Sequence, residues 1–369
     1  QVGLHEIRKR LGSRRLGRRG SREIGTLSIA TSESPPWDQV HALHRLGWTG
    51  SEVGVGHLDS GVDGDHPALR GRVASYLYFD HQGIANPARQ CSDDGWHGTH
   101  TAGILCGSFV TAGGFTGVAP DARLHVASVI ESGQVLARIL GGLDWICDQP
   151  VRVLAMTFGV VGGTPLFGPL IDAARARGIL PVASVGNDGA GRCRSPGDYP
   201  GVLSVGAVDP QGCVARFSGS SKLDEAHICH KPDLLAPGVD VLSAAADGGL
   251  SPQSGTSMAC AFVAGVAALL FHACPDAAPE DVEEALTVTA LPLPEERRHR
   301  CSYGMVQPLS ALERLCSDDR PRPACRVASH AAFYRDRRLL EQCMAAEKNQ
   351  LIEAAMVLSH ANDTGSGYT

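Results

Sequence analysis

Four residues whose types could together break an acyl bond occur in one order along the chain: Asp59, His97, Asn187 and Ser257. A serine hydroxyl is a poor nucleophile until an imidazole takes its proton, and that imidazole needs a carboxylate to hold its tautomer. The tetrahedral oxyanion then needs donors already in place, for which the Asn187 side-chain amide and the Ser257 backbone N–H are the natural pair. Each residue also has a plainer reading. Ser254-Gly255-Thr256-Ser257 could be an ordinary helix cap, and Asp59-Ser60-Gly61 ordinary turn chemistry. His97 and His100 could be a zinc pair on one helix face, but no third ligand follows at convincing spacing, so no metal ligand is assigned.

The elements around these residues favour the chemical reading. Val53 to Leu58 is an apolar run that delivers Asp59 at the carboxyl end of a buried parallel strand. Further strands are expected at 124–130, 151–156, 179–185 and 202–208, with helices at 38–46, 133–146, 170–177 and from Pro279. Alternating strands and helices imply right-handed crossovers and an α/β fold: three layers, a doubly wound and mostly parallel sheet with helices on both faces. Asp59, Thr157 and Asn187 then meet on one rim, each following a strand. Ser257 opens an Ala-rich helical pattern, where unpaired N–H groups favour developing negative charge.

Composition narrows the remaining classes. The 369 residues carry a formal net charge of −6, which gives no electrostatic reason to bind nucleic acid. No run of about eighteen apolar residues is present, so no transmembrane helix is expected. The 12 cysteines show no C-x-x-C pair and no regular spacing. Cys106, Cys147 and Cys260 read as buried; the others could pair in an oxidising compartment.

The motifs H-L-D-S-G-V-D-G-D-H-P-A-L around Asp59, H-G-T-H-T-A-G from His97, A-S-V-G-N-D-G at Asn187 and S-G-T-S-M-A at Ser257 resemble those of the subtilisin-like serine proteases. The resemblance covers Trp37 to Leu315 and implies a serine endopeptidase. It further implies substrate contacts at Ser132, Gly133 and Gln134 and at Thr157, Phe158 and Gly159. Trp96 stands where a small residue is usual and would reshape the neighbouring subsite. Tyr199-Pro200 resembles a family position where the proline peptide bond is cis, so that isomer is expected. No cofactor is required; the 106–117 loop lacks the family's calcium-binding turn, although Asp63, Asp65, Asp93 and Asp94 could hold a weaker calcium.

Three regions are expected: an Arg-rich arm or pro-segment remnant at 1–33, the catalytic domain at 34–316, and a linker with a helical tail at 317–369. The partner implied is a polypeptide or peptide substrate, with the arm or tail available to a partner protein; no nucleic acid or membrane partner is expected. Buried cysteines favour a cytoplasmic location, whereas the resemblance favours secretion. A macrocyclase or transpeptidase on the same fold and a catalytically inactive binding module are the alternatives.

Overall fold

The computed structural model describes residues 34–109, 115–130, 135–161, 165–224 and 227–317. The chain divides into two units, Gln1–Arg320 and Pro321–Thr369. The second unit lies outside the described residues, as do the arm at 1–33 and the loop at 131–134.

The chain opens with α1 (Pro36–Arg45), β1 (Gly54–Asp59), β2 (Val73–Phe79) and β3 (Ala85–Asn86). Next come α2 (His97–Cys106), β4 (Ser108–Phe109), β5 (Phe115–Thr116), β6 (Arg123–Ser128) and α3 (Val135–Cys147). β7 (Val153–Met156), α4 (Gly168–Ala176), β8 (Leu180–Ser184) and β9 (Leu203–Val208) continue the alternation. The remaining elements are β10 (Ser221–Asp224), β11 (His227–Lys231), β12 (Leu234–Pro237), β13 (Val241–Ala244), β14 (Leu250–Gln253), α5 (Thr256–Ala273), α6 (Pro279–Val288), β15 (Gly304–Met305) and α7 (Pro308–Leu315).

Nine strands make one sheet in the order β15-β12-β9-β8-β7-β1-β6-β2-β3. Its pairings are parallel except that between β2 and β3. The chain extends from β1 toward β6 and β2, then returns to β7 on the other side, so the strand order reverses at β1. Open α/β sheets bind ligands outside the carboxyl ends of strands at such a reversal. Side-chain alternation separates the two faces. Leu58 points toward α3, where Gly142 leaves room for the Val129 side chain beside it. Val55 joins Val153, Val182 and Val205 in a core with Leu105, Phe262 and Leu270 of α2 and α5. Each such fully buried side chain contributes about 1.5–3 kcal/mol.

The sequence boundaries hold to within two or three residues. One expectation is corrected. Among the described residues the cis bonds are Ser195–Pro196 and Lys231–Pro232; Tyr199–Pro200 is not one of them. By length and composition alone α5 is apolar enough to cross a bilayer, although 89% of that stretch is buried in the domain. It is buried from Thr256 to Phe271 inside the domain, as a helix apolar on all sides must be. Of the cysteine pairings left open by the sequence, Cys274 and Cys316 come within 3.3 Å, Sγ to Sγ.

Candidate active site

Asp59 ends β1 and is 1% exposed. A buried carboxylate needs donors, and several converge on it. The Ser60 N–H reaches Oδ1 at 2.7 Å, the Thr101 hydroxyl reaches Oδ2 at 3.0 Å, and the Thr157 hydroxyl also donates to Oδ2. His97 Nδ1 lies 2.7 Å from Oδ1 and 2.9 Å from Oδ2. Burial alone would raise the Asp59 pKa, but the His97 charge and hydrogen bond, His57 and Thr157 outweigh it and hold the group well below the carboxylate range.

His97 is the first residue of α2. Trp96 before it provides no cap, so Asp93 and Ser60 serve the exposed N–H groups instead. Asp93 Oδ2 accepts from the Thr99 N–H (2.8 Å) and hydroxyl (2.6 Å), and Ser60 Oγ accepts from the Gly98 N–H at 3.0 Å. Gly98 has a close-packing role. A Cβ there would run into the Gly61 carbonyl and lie 3.1 Å from the Asp59 Cβ, so only glycine lets α2 approach β1 closely enough for His97 to meet Asp59. Burial opposes protonation of His97, yet the Asp59 charge and hydrogen bond prevail and raise its pKa above the ordinary imidazole value. His100 is drawn elsewhere: its Nε2 bonds the Ser251 carbonyl at 3.0 Å, and burial pushes its pKa down to about 4.

Ser257 lies in the first turn of α5 and is 7% exposed. Its hydroxyl donates to the Thr157 carbonyl at 2.6 Å rather than to the His97 imidazole. Thr157 therefore touches both ends of the constellation, its hydroxyl on Asp59 and its carbonyl on Ser257. Asn187 follows β8. Its Oδ1 accepts from both the N–H and the hydroxyl of Thr256 at 2.9 Å, which assigns the amide orientation and leaves Nδ2 as the outward donor. The Thr256 hydroxyl in turn accepts from the Gly186 N–H at 3.2 Å. The rim thus carries a carboxylate-held imidazole, a serine and an amide donor, the set that acyl transfer uses.

The other expected positions divide. Trp96 is 44% exposed with its ring edge-on to His97, centroids 5.5 Å apart. Thr157 is 1% exposed, with its side chain bound to Asp59. The Phe158 carbonyl accepts from the Ser184 hydroxyl at 3.0 Å. The Gly159 carbonyl accepts from Arg194, whose guanidinium also binds Asp188 through Nε (2.5 Å) and Nη2 (2.8 Å). That ion pair holds the Asp188 pKa below the usual carboxylate range. Ser132, Gly133 and Gln134 lie outside the described residues. Of the candidate calcium acids, Asp93 is committed to Ser60, Gly95 and Thr99, Asp94 pairs with Arg89, and Asp63 accepts from the Asp65 N–H at 3.0 Å. The described residues contain no group of three or more His, Cys, Asp or Glu able to hold a metal ion. Sequence reasoning gives no part to Ser60, His57, Thr101 or Thr256, which are legible only as members of the H-L-D-S, H-G-T-H-T and S-G-T-S runs.

A doubly wound sheet whose rim carries Asp59, His97, Asn187 and Ser257 in that chain order has the architecture of subtilisin-like proteins. The Subtilase family model matches residues 50–314, and the chain belongs to that family. It is 34% identical over 322 residues to the subtilisin-like protease PopC of Myxococcus xanthus, covering 78% of this chain and 66% of PopC. It is 33% identical over 256 residues to subtilisin E of Bacillus subtilis, covering 68% of this chain and 63% of that one. The chain thus spans just under two thirds of the length of these two curated relatives. A solved structure of the prenylagaramide maturation protease PagA superposes with a TM-score of 0.63 at 28% identity, covering 76% of this chain and 99% of that one.

Proposed function

We propose that this chain is a serine endopeptidase that hydrolyses peptide bonds in polypeptide substrates through an acyl-enzyme. The observation that carries the reading is the pair of short contacts from His97 Nδ1 to Asp59, with Ser257 tied to the same carboxylate through Thr157. In this mechanism the Ser257 hydroxyl turns from the Thr157 carbonyl toward His97 as substrate binds. His97 takes its proton, Ser257 Oγ attacks the carbonyl carbon, and the oxyanion is met by Asn187 Nδ2 and the Ser257 N–H. His97 then returns the proton to the leaving amine, and water repeats the sequence to release the acid. Asp59 stays ionised throughout and holds the imidazole.

The chemistry requires no metal in this scheme, and of the acids beside the site Asp63 and Asp93 already accept from protein donors. Dialysis against EDTA is expected to leave kcat/KM unchanged; a loss restored by calcium would show that these acids bind a metal after all. The decisive experiment is cleavage of a peptide library by the wild type beside Ser257→Ala, read by mass spectrometry. Cleavage by the wild type alone supports the proposal. Joined products lacking one water identify a ligase, and absence of both products and fluorophosphonate labelling points to a binding module.

A further inference from the structure

His57 stands two residues before Asp59 on β1, so the two side chains share a sheet face. It is fully buried, and its register partners on the neighbouring strands are Val126 and Ala155. An apolar residue would fill such a place without an unmet hydrogen bond. His57 Nε2 instead lies 2.9 Å from Thr101 Oγ1, and Thr101 Oγ1 lies 3.0 Å from Asp59 Oδ2. We propose that His57 is a positioning residue for the triad: through the Thr101 hydroxyl it keeps a hydrogen bond on Asp59 and so sets how strongly Asp59 holds the His97 imidazole. This rests on the endopeptidase reading above.

Counting protons fixes the direction of the relay. The Thr101 hydroxyl has one proton and four neighbours: Asp59 Oδ2, His57 Nε2, and the His97 and Gly98 carbonyls at 3.1 and 3.2 Å. A helical threonine left to itself bonds a carbonyl one turn back. If His57 were protonated on Nδ1, that N–H would be a buried donor with no partner among the described residues, and Nε2 would draw the Thr101 proton away from Asp59. With the proton on Nε2, His57 donates to Thr101, Thr101 donates to the carboxylate, and what is left over is a bare nitrogen acceptor. Orphaned buried donors are the rarer defect, so the second arrangement holds. Donation into the Thr101 oxygen polarises its O–H and strengthens its bond to Asp59. His57 Nε2 itself lies 3.8 Å from Asp59 Oδ2.

The charged groups that bear on His57 are Asp59 on its own strand, His97 on α2 and Asp93 in the turn before α2, while α5 places the Cys260 thiol against this side of the sheet. Burial outweighs them and keeps His57 neutral, pushing its pKa below the ordinary imidazole value. Replacing it by an apolar residue leaves Asp59 less well satisfied and more attractive to the imidazolium form of His97.

The test is the pH dependence of fluorophosphonate labelling of Ser257 in the full chain. In His57→Leu the acid midpoint of the labelling rate is expected to move up by about half a pH unit. His57→Gln, which restores an N–H donor, is expected to return it toward the wild-type position. A folded, labelled His57→Leu with an unmoved midpoint overturns the proposal. Should His57→Leu not fold, Thr101→Val interrupts the relay from its other end and carries the same expectation. The nitrogen chemical shifts of His57 in the wild type decide independently: protonation on Nε2 supports the relay, and protonation on Nδ1 overturns it. If the wild type is not labelled at all, it is the endopeptidase reading that fails, and the tautomer still decides the part assigned to His57.

Discussion

At the scale of residues, the site depends on hydroxyls as much as on its four chemical groups. Thr256 turns the Asn187 amide outward, and Thr157 binds Asp59 with its side chain while receiving Ser257 on its backbone. Asn187→Leu removes one oxyanion donor and keeps the side chain's shape. We expect kcat to fall about 10²–10³-fold with KM little changed, the scale established for such a donor in a subtilisin. An equal loss in Asn187→Leu carried by KM would mean that Asn187 binds the ground state instead. The titration of His97 has a definite sign. Asp59 raises its pKa, and the base must be neutral to act, so the acid limb of kcat/KM lies above the ordinary imidazole value of about 6.5. Asp59→Asn removes that charge and is expected to lower both the midpoint and the rate. A pH–rate profile of the two proteins checks this.

At the scale of elements, the site is a matter of how closely α2 and α5 approach the sheet and the β13–β14 hairpin. A Cβ on Gly103 would fall on the Ser243 hydroxyl and lie 3.0 Å from the Ala244 methyl and nitrogen, so α2 would have to move off β13. Gly103→Ala is therefore expected to destabilise the domain by about 1–3 kcal/mol, despite alanine's better helix propensity. Denaturant unfolding measures it, and a stabilised variant would show that the hairpin yields freely. This close approach also marks where the sequence stops being readable. Strands such as 153–156 are legible because burial on both faces leaves an unbroken apolar run, and Asp59, Asn187 and Ser257 are legible because each ends or begins such an element. The tie between His57 and Thr101 is not legible: it joins residues 44 apart, and a histidine inside a buried strand does not reveal its partner locally. The cis bond was misplaced for a similar reason. The expectation at Tyr199-Pro200 rested on a family position, and nothing local to Ser195-Pro196, which forms an antiparallel bridge to Val160, marks it as the cis bond.

At the scale of the whole molecule, burying imidazoles beside the catalytic face couples the domain's stability to pH. His100 has its pKa pushed down to about 4 by burial, whereas an unfolded histidine titrates near 6.5. Between those values the unfolded chain binds a proton that the folded chain does not, so stability falls as pH drops through the window, by about 3 kcal/mol in all. His57 acts in the same direction. His97 acts in the opposite one: its raised pKa contributes stability that is full below about 6.5 and lost as pH rises through the folded value. Asp59 adds a second acid loss, because its contribution is present above about 3.9 and disappears below it. Equilibrium unfolding of the full chain at pH 7, 5.5 and 4.5 is thus expected to show stability decreasing as pH falls. His100→Gln keeps an N–H for the Ser251 carbonyl and has nothing to protonate. It is expected to flatten the slope between pH 6.5 and 4, and an unchanged slope would place the acid sensitivity elsewhere in the fold.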